Sequence, residues 1–189
     1  MKRIFIIHGW GGNPNEGWIN WLKKELTKKG YKVEAPQMPN TDYPKINEWV
    51  SYLIDLVKEP DKNTFFIGHS IGCQTILRYL ESIPKNSKVG GIILVAAWLN
   101  LTDETWDENY TEEIARSWIQ TPIDFEKIKS HTNKIIIINS DDDPYVPITD
   151  AHTLKKKLNA EVIMLKNQGH VDEDELPEAL EKLEEIISK

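Results

Sequence analysis

Short runs of consecutive apolar residues alternate along this chain with segments that have a single apolar face. Residues 135–138 are one such run, four isoleucines in succession. A strand that is buried on both faces has this pattern, and strands of this kind belong to parallel sheets covered by helices. The predicted strands are residues 3–7, 31–35, 64–67, 91–96, 134–139 and 161–165.

The segments between these runs have the periodicity of amphipathic helices. After Ile46, further apolar residues follow at offsets of 3, 4, 7, 8 and 11, which places them on one helix face. Strands that alternate with helices predict a three-layer α/β/α fold, with a parallel sheet between the helices and right-handed crossovers. The length of 189 residues suits one domain. Only residues 98–133 break the rhythm, and we predict that they form a small cap-like excursion above the sheet.

Charge and composition exclude several classes of partner. The net charge is −7 and the chain has no lysine- and arginine-rich block, which argues against a nucleic-acid partner. Cys73 is the single cysteine, so no intrachain disulfide is possible, and this fits a reducing compartment. The apolar run near the start is shorter than a signal-peptide core of about 7–15 residues. No run approaches the ~20 residues that span a bilayer. We therefore expect a soluble, cytoplasmic protein with no membrane partner.

A serine lies between two glycines where the third predicted strand meets a helix. In the sequence GHSIG, Ser70 is flanked by Gly68 and Gly72. This G-x-S-x-G pattern, in a strand–turn–helix context, predicts a nucleophile elbow, which projects the serine hydroxyl from a tight turn. The turn would be crowded by side chains two positions before and after the serine. Cys73 falls inside the following helix and is interpreted as a small buried hydrophobe.

A serine hydroxyl needs a base, and the base needs a carboxylate that orients it. In elbow-type hydrolases the chain order is serine, acid, histidine. Three aspartates, Asp141 to Asp143, follow the fifth predicted strand. Asp143 precedes Pro144 and is therefore biased to an extended conformation; it is favoured as the acid, and Asp142 remains the alternative. His170, on the loop after the last strand, is the predicted base.

An acyl-transfer site also needs hydrogen-bond donors for the tetrahedral oxyanion. One predicted donor is the backbone N–H of Ile71, directly after the serine. The other is the N–H of Trp10 in the sequence HGWGG, which follows the first strand. A dinucleotide-binding G-x-G-x-x-G loop at this place would need a glycine where the chain has Pro14, so that interpretation is set aside.

These motifs together resemble those of the small α/β-hydrolases, and more narrowly the retinoblastoma-binding-protein-9/YdeN-type serine hydrolase family. The resemblance rests on HGWGG, GHSIGC, SDDDPYVP and the final GH, and also on W-x-x-W-L at residues 18–22 and GGIILVAAW at residues 90–98. It implies a triad of Ser70, Asp143 and His170. It also implies a compact fold with strand order 2-1-3-4-5-6 that lacks the first two strands of larger α/β-hydrolases.

The predicted function is therefore a serine hydrolase that cleaves carboxylic esters or related acyl compounds, with a small-molecule substrate and no cofactor. An amidase or a thioesterase would use the same residues. A protein-interaction module on a hydrolase scaffold is a further alternative. A metal enzyme is the last, and it would leave the elbow unexplained; its ligands would be Asp141, Asp142, His170 and Asp172.

Three tryptophans of the excursion are predicted to bind substrate. Trp98, Trp106 and Trp118 are proposed to line an apolar acyl pocket, and packing inside the cap is an equally good interpretation. Trp106, Tyr110, Ile114 and Trp118 recur at spacings of four, which predicts that one helix presents them on a shared face.

Overall fold

A computed structural model describes residues 1–106 and 111–188 of the chain. The described residues form a parallel sheet of six strands in the order β2-β1-β3-β4-β5-β6. The strands are β1 (Arg3–Ile7), β2 (Lys32–Glu34), β3 (Thr64–His69), β4 (Gly91–Val95), β5 (Ile135–Ser140) and β6 (Glu161–Leu165). The predicted α/β class and the strand order are both confirmed.

Helices connect the strands and cover both faces of the sheet. They are α1 (Gly17–Lys28), α2 (Ile46–Val57), α3 (Ile71–Ser82), α4 (Thr111–Gln120), α5 (Phe125–His131), α6 (Ile148–Leu158) and α7 (Pro177–Ser188). Within the described ranges, no helix is long and apolar enough to cross a membrane.

The sheet separates two apolar cores, as the three-layer prediction requires. On one face, side chains of β1, β3, β4 and β5 pack against α2, α3, α5 and α6, and the cluster includes Trp49 and Leu154. On the other face, alternate residues of the same strands pack against α1 and α7, and the cluster includes Leu22 and Leu183. Every residue of β3, β4 and β5 is buried, which explains their consecutive apolar residues.

The excursion between β4 and β5 contains a 3₁₀ turn at Asp103–Thr105, followed by α4 and α5. The predicted shared helical face is wrong for Trp106, because this residue caps the 3₁₀ turn with φ −83° and ψ 87°, which is not a helical conformation. Tyr110, the second member of that predicted face, lies outside the described residues.

Candidate active site

Ser70 lies on a strained turn between β3 and α3. Its backbone has φ 52° and ψ −118°, a conformation that residues with side chains rarely adopt. Two backbone hydrogen bonds hold the turn: the N–H of Ser70 donates to the carbonyl of Val95 at 2.9 Å, and the carbonyl of Ser70 accepts from the N–H of Cys73 at 2.9 Å. The turn thus has the backbone strain expected of a nucleophile elbow.

Both glycines of the elbow are required by close backbone contacts. A Cβ atom on Gly72 would lie 2.3 Å from the carbonyl oxygen of Ile7 in β1. A Cβ atom on Gly68 would lie 2.8 Å from the backbone nitrogen of Cys73. Real Cβ atoms essentially never approach other atoms within 3.0 Å. The start of α3 therefore packs directly on the end of β1, which brings the HGWGG loop beside the serine.

His170 is hydrogen-bonded to Asp143. The Nδ1 of the imidazole lies 2.8 Å from Oδ2 of the carboxylate. The other oxygen, Oδ1, accepts from the backbone N–H groups of Tyr145 at 2.9 Å and Val146 at 3.0 Å. The Asp143 side chain is fully buried. Because a carboxylate can only accept, the imidazole carries its proton on Nδ1 and leaves Nε2 free to take a proton.

The two neighbouring aspartates have other partners. Asp141 forms an ion pair with Lys166 at 2.7 Å, and this hydrogen bond lowers the pKa of the carboxyl. Asp142 accepts from the hydroxyl of Ser140 at 2.6 Å, which lowers its pKa, and from the N–H of Gly169 at 2.9 Å. Of the three, Asp143 is thus the aspartate in contact with the His170 imidazole.

His8 fixes the conformation of the HGWGG loop. The backbone N–H of Met38 donates to its Nε2 at 3.0 Å, so the proton of the ring is on Nδ1, which donates to the carbonyl of Gly9 at 2.8 Å. Burial lowers the pKa of His8 and keeps it neutral. Since C=O and N–H point in opposite directions across a trans peptide, the N–H of Trp10 points away from His8. Within residues 1–106 and 111–188, neither this N–H nor that of Ile71 has an intramolecular acceptor.

One cavity brings most of the predicted site residues together. It has a volume of about 520 Å³, and its wall includes Ser70, His170, Trp10, Ile71 and Trp98. The cavity lies at the carboxyl ends of the strands, where ligands bind in open parallel sheets.

Two of the predicted tryptophans are not part of this wall. Trp118 lies in the core below, where its Nε1 donates to the carbonyl of Pro44 at 3.0 Å and its ring packs edge-on against Trp49. Trp106 is half-buried and does not line the cavity either. The excursion instead contributes Leu101 to the wall.

Several wall residues were not predicted from the sequence. Tyr145 packs edge-on against the His170 ring, with centroids 5.2 Å apart. Its place in the sequence SDDDPYVP, two residues after Asp143, is the sequence feature that could have indicated this contact. Trp18 also lines the cavity. Trp18 belongs to the W-x-x-W-L motif, but its contact with Val171 could not be predicted, because the two residues are 153 positions apart in the chain. His8 and His69 come too early in the chain to be the base and are predicted from the sequence to be structural or to line the site; both line the cavity.

The charged side chains of the wall are acidic. Glu16 and Asp172 line the cavity, and among the described residues of the wall there is no lysine or arginine. Desolvation, together with the neighbouring His170, lowers the pKa of His69 to about 4, so this imidazole is neutral at pH 7. Nowhere in the described ranges do three His, Cys, Asp or Glu side chains cluster as metal ligands would.

Comparisons with known proteins identify the family to which the chain is related. Residues 4–189 match the model of the serine hydrolase family. The chain is 30% identical to the putative hydrolase YdeN of Bacillus subtilis (strain 168), over 100% of this chain and 97% of that protein. It is 28% identical to the serine hydrolase RBBP9 of Rattus norvegicus, over 98% of this chain and 96% of the relative.

The solved structures agree as well. The crystal structure of the ydeN gene product from B. subtilis superimposes with a TM-score of 0.89, at 28% sequence identity and with 100% of both chains covered. With the elbow serine, the carboxylate-bound histidine and the family match in hand, we conclude that the chain belongs to the serine hydrolase family.

Proposed function

We propose that this protein hydrolyses carboxylic esters, or closely related acyl compounds, through an acyl-enzyme on Ser70. The observation that carries the proposal is the bond of 2.8 Å between Asp143 and His170, in the cavity that also contains the elbow serine. A buried carboxylate that fixes the imidazole tautomer is what a serine nucleophile needs from its base.

In the first half of the proposed reaction, the hydroxyl oxygen of Ser70 attacks the carbonyl carbon of the substrate, and its proton passes to Nε2 of His170. The carbonyl oxygen becomes an oxyanion that accepts from the N–H groups of Trp10 and Ile71, which have no other acceptor in the described structure. When the intermediate collapses, the alcohol leaves with the proton from His170, and the acyl group stays on Ser70.

In the second half, water attacks the acyl-serine and gives a proton to Nε2 of His170. The second intermediate collapses, the carboxylic acid leaves, and the proton returns to the Ser70 oxygen. Asp143 stabilises the imidazolium in both halves, through a carboxylate that two backbone N–H groups hold in place. Side chains and backbone amides supply every group that this chemistry uses, so it requires no cofactor.

The cavity favours a small acyl compound. Its volume of about 520 Å³ is typical of small-molecule sites, and Trp98 and Leu101 contribute apolar wall. With Glu16 and Asp172 in the wall, an anionic substrate meets like charge, an effect that salt screens over about 8–10 Å.

The test is labelling with a fluorophosphonate probe, followed by mapping of the adduct and by ester, amide and thioester assays with matched acyl groups. We expect labelling on Ser70 and none in Ser70→Ala. Cys73 offers the matched control: its thiol is buried, burial raises its pKa, and the S–H contacts the carbonyls of Gly68 and Val95. Cys73→Ala should therefore label like the wild type.

An absence of labelling in a folded wild-type protein would contradict the proposal and favour a non-catalytic role for the scaffold. An adduct on Cys73 would show that the nucleophile is wrongly assigned. Among active preparations, the assay that gives the highest kcat/KM decides between ester, amide and thioester bonds.

A further inference from the structure

The loop that carries His170 has an unfavourable backbone conformation. Val171, directly after the base, has φ 57°, whereas the φ of 49° at Gly169 is one that glycine adopts freely. Positive φ is a genuine outlier for a β-branched residue such as valine. A strained conformation of this kind persists only when the surrounding structure determines it. Contacts with other parts of the structure must therefore hold the backbone at Val171, directly after the base.

Two side chains donate hydrogen bonds to successive carbonyls of this loop. His69 places Nε2 at 2.9 Å from the carbonyl oxygen of His170. Trp18 donates from Nε1 to the carbonyl of Val171, also at 2.9 Å. A carbonyl can only accept, so the proton of the His69 ring is on Nε2. Both donors come from residues that the proposed reaction does not use.

The two donors are themselves fixed. The Trp18 ring packs edge-on against the His69 ring at 5.7 Å, and the His69 ring lies 5.1 Å from that of His170. Trp18 also donates from its backbone N–H to the carbonyl of Glu173 at 2.9 Å. At the start of α1, Gly17 lies close to the same carbonyl, since a Cβ atom there would make a tight contact of 3.0 Å with its oxygen.

Besides its hydrogen bond to the His170 carbonyl, His69 is connected to the nucleophile because it directly precedes Ser70 in the chain. It ends β3, whose last residues pair with β4, and only 7% of it is exposed. One side chain thus connects the elbow of Ser70 to the carbonyl of the base. A shift of either loop is opposed by the same hydrogen bond.

We propose that His69 and Trp18 form a clamp that positions His170 by binding the carbonyls of His170 and Val171. The clamp rests on the proposed function, in which His170 is the base. His69 and Trp18 are positioning residues: they act through the base and not on the substrate. This gives a positioning role to Trp18, the first tryptophan of the W-x-x-W-L motif, and to His69, the histidine of the elbow sequence GHSIG.

The test compares variants that keep or remove each donor. His69→Phe keeps a ring but has no donor, whereas His69→Gln has an amide N–H₂ that can reach the same carbonyl. Trp18→Phe removes the indole N–H. Misplacing a reacting group by about 1 Å can cost about 100-fold. We therefore expect His69→Phe to lower kcat/KM for an ester about 10- to 100-fold, mainly through kcat, and His69→Gln to recover most of it.

For Trp18→Phe we expect a fall of about 2- to 10-fold, which corresponds to one net hydrogen bond. Matched controls are Trp21→Phe, on the same helix but outside the cavity wall, and His152→Phe, an exposed histidine on α6. Both should have wild-type kinetics. If His69→Phe fails to fold, Trp18→Phe carries the test.

A readout that does not need turnover separates the clamp from the proposed function. The proton between His170 and Asp143 should give a low-field NMR resonance in the wild type and in His69→Gln, and the resonance should be lost or broadened in His69→Phe. Wild-type protein that the fluorophosphonate does not label refutes the hydrolase proposal. If His69→Phe and Trp18→Phe both react with the fluorophosphonate at the wild-type rate and both keep the low-field resonance, the clamp is refuted and the hydrolase proposal stands.

Discussion

Replacing Gly72 by alanine tests how closely the elbow must pack on β1. The added Cβ atom would lie 2.3 Å from the Ile7 carbonyl oxygen and 2.8 Å from that of His8, and both are backbone atoms that no rotamer change can move. To reach the 3.0 Å limit of real Cβ contacts, the start of α3 must move from β1 by about 0.7 Å. This movement separates Ser70 from the loop of Trp10.

The magnitude follows from that shift. Overpacking of a close contact costs about 1–3 kcal/mol of unfolding free energy. For a chain of this size, that lowers the Tm by roughly 2–4 °C per kcal/mol. The same displacement moves the nucleophile relative to one oxyanion donor, and displacements near 1 Å cost up to about 100-fold. We expect Gly72→Ala to lose about 10- to 100-fold in kcat/KM while it stays folded at 25 °C.

The assay is ester hydrolysis together with thermal unfolding, and Gly30→Ala is the matched control. Gly30 lies far from the site with φ 86°, and a Cβ atom there has nothing within 4 Å. That variant should lose about 1 kcal/mol to the left-handed backbone and keep its activity. Wild-type stability and activity in Gly72→Ala would refute the packing argument.

Three further predictions concern single side chains. Asp143→Asn should lower kcat by about 10⁴-fold, the loss that this change causes in a chymotrypsin-type triad, whereas Asp141→Asn should change turnover little; a deficit confined to Asp141→Asn would contradict the assignment. The pKa of His69 in the folded protein is about 4, below the ordinary 6.5, and His170, Asp172 and Asp143 lie around the ring. Between these two pH values the unfolded state binds more protons than the folded state, so acidification lowers the free energy of unfolding. In urea unfolding at pH 7 and pH 4.5, the wild type should therefore lose more stability on acidification than His69→Gln. Trp118→Ala should destabilise the protein by about 3–5 kcal/mol without changing acyl chain-length preference, and Trp98→Ala should change that preference; the opposite pattern would reverse their placement.

Much of the sheet could be predicted because burial on both faces leaves a strong signal. The strand at residues 161–165 and the strand at residues 3–7 have the predicted bounds. The third strand is two residues longer than predicted, since Gly68 and His69 pair with Leu94 and Val95 of β4. A glycine followed by a histidine does not resemble a strand, so only the pairing reveals it.

The neighbouring Pro144 favours Asp143 as the partner of the histidine, but the sequence alone leaves Asp142 as an alternative. All three follow the same strand, and their separate partners, Lys166, Gly169 and His170, lie 25–27 positions away. The contacts of the excursion tryptophans could not be predicted either. Helical periodicity predicts that α4 has an apolar face, but it does not predict whether that face packs on the cavity or on the core. Trp118 points into the core, towards Trp49.

The short first edge of the sheet has a consequence for how copies of the chain behave together. An unpaired strand edge offers N–H and C=O groups on which another chain can add a strand, and natural proteins oppose this with short edges and charge. Strand β2 has only three residues, and Lys32 and Glu34 at its two ends form an ion pair at 3.1 Å. Because the strand is short and its ends are charged, a neighbouring chain has few backbone groups to pair with. We therefore expect this edge to oppose strand-by-strand association at high protein concentration.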